Sequence, residues 1–347
     1  MGGETIRKTM RTGRIKLPAE HTEAYYHCVS RVVDRRFIFG DAEKEMFVQM
    51  MRKYERFYHV RVMTFCVMSN HFHILVEVPK RPEVMPSDEE LLAEIKRIYS
   101  VEAFIQVRWQ LEQFRKIAAD DAAEQLRESF FKRMWDVSYF MKSLKQRFSG
   151  WYNKKTARQG TLWERRFRSV LVQSGDALMK MAAYIDLNPI RAGMLEKPDD
   201  YRWSGYGEAM AGRRTAQSAL TAVVETHQRI PTSHKAALEK YRELLHGDAE
   251  MKEAGQNGER NRKGMTKERV QEVIKSKGKL STWEMLRCKV RYFTDGVAIG
   301  TKEFVEQVFQ AEKHRFGPNR KSGARRLKHV DAGELRTMRD LRIDPVR

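Results

Sequence analysis

Cysteine is scarce in this chain. Cys28, Cys66 and Cys288 are the only three, and no two of them form a Cys-x-x-Cys pair. That excludes a disulfide framework and a cysteine-built zinc ribbon, and it suits a reduced, cytoplasmic setting. Long hydrophobic runs are missing too. No stretch approaches the ~18–20 apolar residues a bilayer span requires, so no membrane is expected among the partners. The first residues carry Arg7, Lys8, Arg11, Arg14 and Lys16 without an apolar run, which does not fit a secretory signal. Acidic residues are in deficit: 66 Lys and Arg against 46 Asp and Glu leave a net charge of +20. Such an excess favours a polyanionic partner, with nucleic acid ahead of an acidic membrane. With 347 residues, 41% of them hydrophobic, the chain can build one large or two smaller globular domains.

The patterning that is present gives an order of elements. Residues 24–33 (AYYHCVSRVV) read as a strand. Residues 41–58 have helical period, with Phe47, Met50, Met51 and Tyr54 on one stripe and Asp41 as the expected N-cap. Residues 60–67 and 71–78 read as two strands around a Met68-Ser69-Asn70 turn or bulge. Strand, helix, strand, strand is typical of a small α+β sandwich. After a breaker at 79–86, residues 87–152 are almost continuously helix-forming, from a start signal at Ser87. A loop into a strand at 159–172 and a helix at 176–187, stopped by Asn188-Pro189, follow.

The expected organisation is a basic arm (1–20), a main domain (21–246) with a helical insertion at about 85–135, and a polar linker (247–264). A small helical unit (265–316) comes next, its helices capped by Thr266, Ser281 and Thr301, weakly resembling a helix-turn-helix. The tail (317–347) is basic and reads as a DNA-contacting or disordered arm.

Two pieces carry chemistry. In Ser69-Asn70-His71-Phe72-His73-Ile74, the histidines stand at i and i+2 of a strand and so share one face, while Phe72 points to the other. Two imidazoles held this way make half a site for a divalent cation; the alternative is an ordinary hydrogen-bonded pair. Glu77 has the same parity, as a hydrogen-bond acceptor behind a ligand histidine or a plain surface carboxylate, and His27 on the first strand is expected to pack in the core. In Ala183-Tyr184-Ile185-Asp186-Leu187-Asn188, Tyr184 and Asn188 lie one helical turn apart on one face. A tyrosine hydroxyl can attack a phosphodiester, and Asn188 offers a hard oxygen to complete a His71, His73, Asn188 set for Mg²⁺ or Mn²⁺. The alternative is that Tyr184 packs under the sheet while Asn188 caps its helix. Lys142, Lys145, Arg147, Arg165, Arg166, Arg168 and Arg191 are candidates for phosphate contacts, and Tyr139, Phe140, Phe148, Trp151 and Tyr152 stand among the lysines as either base-stacking or core residues.

SNHFHILVEVP, the LWERRF loop and AAYIDLNPIRAG together resemble the HUH single-tyrosine transposases, more narrowly the REP-associated tyrosine transposases. The opening YYHCVSRVVDRRFIF resembles that family's first strand, and the resemblance covers about residues 20–210 apart from the insertion. It implies a ferredoxin-like sandwich with a central antiparallel sheet, a divalent metal on the two histidines, and a tyrosine that cleaves single-stranded DNA folded around palindromic hairpins. The products it implies are a 5′-phosphotyrosine and a free 3′-hydroxyl that later reseals the strand. Relatives often carry tyrosine in the loop where this chain has Phe167; Tyr184 is taken as the nucleophile because its place on a helix, with Asn188 at i+4, resembles the nucleophile helix of the wider family. The rival readings are a non-catalytic DNA-binding protein on the same scaffold and a metal-dependent nuclease with water as attacker. Monomer and homodimer both remain open.

Overall fold

The computed structural model describes residues 14–17, 21–246 and 279–341. Strand β1 (Glu23–Arg31), helix α1 (Asp41–Phe57), and strands β2 (Arg61–Val67) and β3 (His71–Pro79) follow the order read from the sequence. Three helices, α2 (Asp88–Ile98), α3 (Val101–Lys116) and α4 (Asp120–Phe131), form the insertion. Helix α5 (Val137–Lys155) then leads back to strand β4 (Arg168–Val172). The helix-forming run after Ser87 is thus four helices, and Ser87 closes a capping box with Glu90 on α2. Gly40, not Asp41, is the N-cap residue of α1, and it carries no side-chain cap.

The sheet order begins β2-β3-β1-β4, and the pairs among these strands are antiparallel. With α1 between β1 and β2 and α5 between β3 and β4, this is the split β-α-β of a ferredoxin-like unit. Helices α1 and α5 share one face of the sheet. Phe47, Met51, Phe140, Leu144 and Phe148 pack there against Phe72, Ile74 and Val76 of β3. Each such fully buried large side chain contributes on the order of 1.5–3 kcal/mol.

The opposite face carries helix α6 (Asp176–Asp186) and the short α7 (Asn188–Arg191). Pro189 sits in the first turn of α7, where its missing N–H costs nothing, so Asn188-Pro189 restarts a helix rather than ending the helical run. Helices α8 (Gly205–Met210), α9 (Arg214–Gln228) and α10 (His234–His246) complete this layer. Gly205 lets α8 approach β2, because a Cβ there would stand 2.2 Å from the Thr64 hydroxyl.

Residues 279–341 differ from the separate helical unit expected. Helices α11 (Thr282–Arg287), α12 (Tyr292–Asp295) and α13 (Lys302–Ala311) are present, with Ser281 and Thr301 as N-caps as read; Thr266 lies outside the described residues. Between and after them stand strands β5 (Ala298–Gly300), β6 (Arg325–Arg326) and β7 (Arg336–Thr337). Strand β5 pairs parallel with β4, and the sheet runs on as β5-β7-β6 to seven strands among the described residues. The physical reason is that β4 would otherwise be an open edge. Part of the basic tail is therefore paired backbone. No helix among the described residues is long and apolar enough to cross a membrane.

One buried polar knot ties the second layer together. Asp186, 1% exposed, accepts from the Thr64 hydroxyl (2.8 Å), the Tyr241 hydroxyl (2.6 Å) and the Tyr206 amide (3.2 Å). Burial outweighs these donors and raises its carboxyl to about 7. A raised carboxyl favours the protonated fold, so its stabilisation is complete below the ordinary Asp range and is lost as pH rises through about 7. Asp186→Asn, neutral at every pH, should therefore gain melting temperature relative to wild type between pH 4 and 8. A constant difference across that range would contradict the raised carboxyl.

Candidate functional site

The antiparallel register of β1 with β3 sets Val29 opposite His73 and Arg31 opposite His71. His71 and His73 project toward the α6 layer, as alternation requires, and their ring centroids are 5.1 Å apart. His27, on the same face of β1, is diagonal to His73. Its Nε2 lies 2.9 Å from His73 Nδ1, and its Nδ1 lies 2.7 Å from the carbonyl oxygen of Phe293. Sequence reasoning had given His27 to the core. It is fully buried, yet its polar atoms are committed to the site. The parity of Tyr25, His27 and Val29 was readable, but the register that brings His27 to His73 was not.

His71 Nδ1 stands 2.7 Å from Asn70 Oδ1, and the Asn70 amide nitrogen donates to the Arg35 carbonyl (3.0 Å), which fixes the amide's orientation. An amide oxygen only accepts, so His71 carries its proton on Nδ1 and keeps a lone pair on Nε2. Burial, with Arg31, Lys289 and Arg191 nearby, pushes His71 down to about 4. Burial pushes His27 to about 4, and His73 well below its ordinary range. Neutral imidazoles with a free Nε2 are the form that binds a divalent cation, so the donor chemistry fits the implied metal on these two side chains. Among the described residues, however, no group of three His, Cys, Asp or Glu side chains gathers as a metal site. The third ligand read from the sequence is the neutral amide oxygen of Asn188. Asn188 is buried, and its amide nitrogen caps the carbonyl of Ile185 (2.9 Å), which leaves Oδ1 as the group it has to offer. Glu77 pairs with Arg61 (3.7 Å), beyond Leu75 along β3.

Helix α6 brings Tyr184 alongside: its ring centroid is 6.5 Å from that of His27, edge to face. Tyr184 is 4% exposed, packs on Phe293 at 4.7 Å, and its hydroxyl meets the backbone of Val290. Burial raises its phenol above the usual value, and the Arg191 guanidinium opposes that rise. Arg191 lies 3.9 Å from the Tyr184 ring centroid and donates to the carbonyls of Leu286 (2.7 Å) and Tyr184. Arg191, a candidate phosphate contact from the sequence, is thus committed within the protein. It bridges the tyrosine helix to the 279–341 segment.

The remaining basic candidates divide. Lys142, Arg147, Arg165, Arg166 and Arg168 are exposed. Arg168 forms an ion pair with Asp295 at 2.6 Å. Lys145 corrects the sequence reading: it is 8% exposed, donates to the Arg165 carbonyl (2.8 Å), and is lowered to about 8 by burial. Its role is to hold the 159–167 loop on α5. Phe140 and Phe148 are core residues, and Phe148 stacks on Phe39 at 5.1 Å, so they are not platforms for bases. Phe167 lies under the Arg14 guanidinium, 3.6 Å from its ring centroid.

Residues 20–116 match the family model described as "Transposase IS200 like" (Y1_Tnp). The match takes in His71 and His73 and ends before Tyr184. Over that segment, which is less than a third of its length, the chain is similar to the IS200-like transposases. Among solved structures the chain is similar to one described as "Structure of the REP associates tyrosine transposase bound to a REP hairpin". The two are 13% identical, with 58% of this chain and 86% of that chain covered and a TM-score of 0.37. A comparison with curated proteins finds no match.

The protonation states have a direct check. Followed by side-chain NMR, His71 and His27 should titrate near about 4, not at the ordinary histidine value. A midpoint near ~6.5 for His71 would mean an open, solvated ring and no preformed neutral pair.

Proposed function

We propose that this protein is a metal-dependent transposase or nickase that cuts and rejoins single-stranded DNA through Tyr184. The observation that carries the reading is the convergence of His71, His73, His27, Tyr184 and Arg191 on one face of the sheet, drawn from β1, β3, α6 and α7. In this reading the Tyr184 oxygen attacks a backbone phosphorus. The P–O3′ bond breaks, the phenol proton ends on the departing 3′-oxygen, and a 5′-phosphotyrosine is left. The 3′-hydroxyl reverses the step to reseal the strand, so neither water nor ATP is consumed.

His71 and His73, with Asn188 as the third candidate, would hold Mg²⁺ or Mn²⁺. The ion's chemistry, when bound, is to polarise the scissile phosphate and ease the departure of the leaving oxygen. Arg191 serves the tyrosine by favouring its phenolate. Lys142, Arg147, Arg165, Arg166 and Arg168 are proposed to position the phosphate backbone, consistent with the net charge of +20. A hairpin-bearing single strand is the proposed substrate, a cytoplasmic setting follows from it, and monomer and homodimer are both compatible.

A second reading has its own observation. Tyr184 is covered by Phe293, and its hydroxyl is already engaged by Val290. A protein that binds DNA without cutting it would keep its tyrosine so. Catalysis requires residues 290–293 to yield when DNA enters.

The two readings separate on one gel. Full-length protein, Mn²⁺ or Mg²⁺, and a labelled single-stranded hairpin taken from beside its own gene are mixed and denatured in SDS. The transposase reading predicts a protein–DNA band that survives SDS and disappears in Tyr184→Phe and His71→Ala. Tight native binding with no such band favours the non-catalytic binder. Metal-dependent cleavage that persists in Tyr184→Phe points to water as the attacker.

A further inference from the structure

We infer that His27 is a positioning residue for the metal site: it sets the tautomer of His73 and so decides which of its nitrogens faces a cation. This rests on the metal-site reading above and deepens it. The protons are fixed along a buried chain of three groups. The Phe293 carbonyl only accepts, so at 2.7 Å His27 Nδ1 must carry a proton. His27 is fully buried, and no carboxylate bonds to it, so the ring is neutral and its Nε2 is bare. A bare Nε2 at 2.9 Å from His73 Nδ1 can only accept, so the proton between the rings belongs to His73 Nδ1. His73 is itself neutral and buried, and its lone pair is therefore left on Nε2. That is the nitrogen His71 also leaves free through Asn70.

Each ligand histidine thus has its own acceptor behind it, an amide for His71 and an imidazole for His73. A donor's orientation and basicity are commonly set in this way by the group behind it, and loss of that group typically weakens metal binding by roughly 10–100-fold. The chain of bonds ends on the 279–341 segment, on the residue whose ring covers Tyr184. Docking of that segment and the protonation pattern of the metal ligands are therefore linked through one carbonyl.

The first test needs no substitution. In full-length protein labelled with ¹⁵N-histidine, long-range proton–nitrogen correlation spectra should place the His73 proton on Nδ1. A proton on Nε2 would overturn the inference. The second test is Mn²⁺ binding to the metal-free protein, followed by calorimetry or by loss of the free-ion electron-spin signal. His27→Phe, which keeps the ring volume but cannot accept, should weaken Mn²⁺ binding at least tenfold and release the His73 tautomer. His27→Gln, which can donate to Phe293 and accept from His73, should recover most of the affinity. Equal affinity in wild type and His27→Phe overturns the inference, as does failure of Gln to do better than Phe in two variants that melt alike. Wild type that binds no Mn²⁺ but carries the His73 proton on Nδ1 would overturn the metal-site reading and leave the tautomer assignment standing.

Discussion

The site depends on one hydrogen bond between two buried imidazoles, His27 and His73. Neither side chain has water to fall back on, and leaving a buried donor or acceptor unmade costs about 1–3 kcal/mol. The bond forms only if β1 and β3 pair with Val29 opposite His73, since a slip of one residue would turn every side chain of the strand to the wrong face. That register is held from the other side of the sheet, where Phe72, Ile74 and Val76 interlock with α1 and α5. The apolar face of a ferredoxin-like unit thus fixes the geometry of its polar face.

The polar face is then closed by later parts of the chain. Helix α6 sets Tyr184 beside His27, and Asp186, two residues on, anchors the helix to β2, α8 and α10. The 279–341 segment extends the sheet past β4 and supplies the Phe293 carbonyl to His27, the Phe293 ring to Tyr184, and the Leu286 carbonyl to Arg191. Three side chains of the candidate site lean on a segment far from them in sequence. Its contacts cover Tyr184 with the Phe293 ring and engage His27 through the Phe293 carbonyl. In the proposed transposase reading, the same contacts open to admit a phosphodiester to Tyr184.

Much of this was legible in the sequence. The alternation around His71 and His73, the α1 stripe, the Ser87, Ser281 and Thr301 caps and the helix bearing Tyr184 are local patterns, and local patterns survive folding. What escaped was long-range. His27 looked like a core residue because nothing local shows that it faces His73. Lys145 and Arg191 looked like surface cations because charge in a sequence does not reveal which carbonyl will bury it. The short strands β5 to β7 escaped for the same reason: two or three residues have no period to detect, and only the open edge of β4 selects them.

The central claim is that the Nε2 atoms of His71 and His73 form half of a divalent-cation site beside Tyr184. Crystals of the full-length protein soaked in Mn²⁺ and measured at the manganese absorption edge test it most directly. The account predicts an anomalous peak within bonding distance of Nε2 on both histidines, with Asn188 as the nearest oxygen donor of the chain. A strong peak bound elsewhere, with none at the histidine pair, would contradict it.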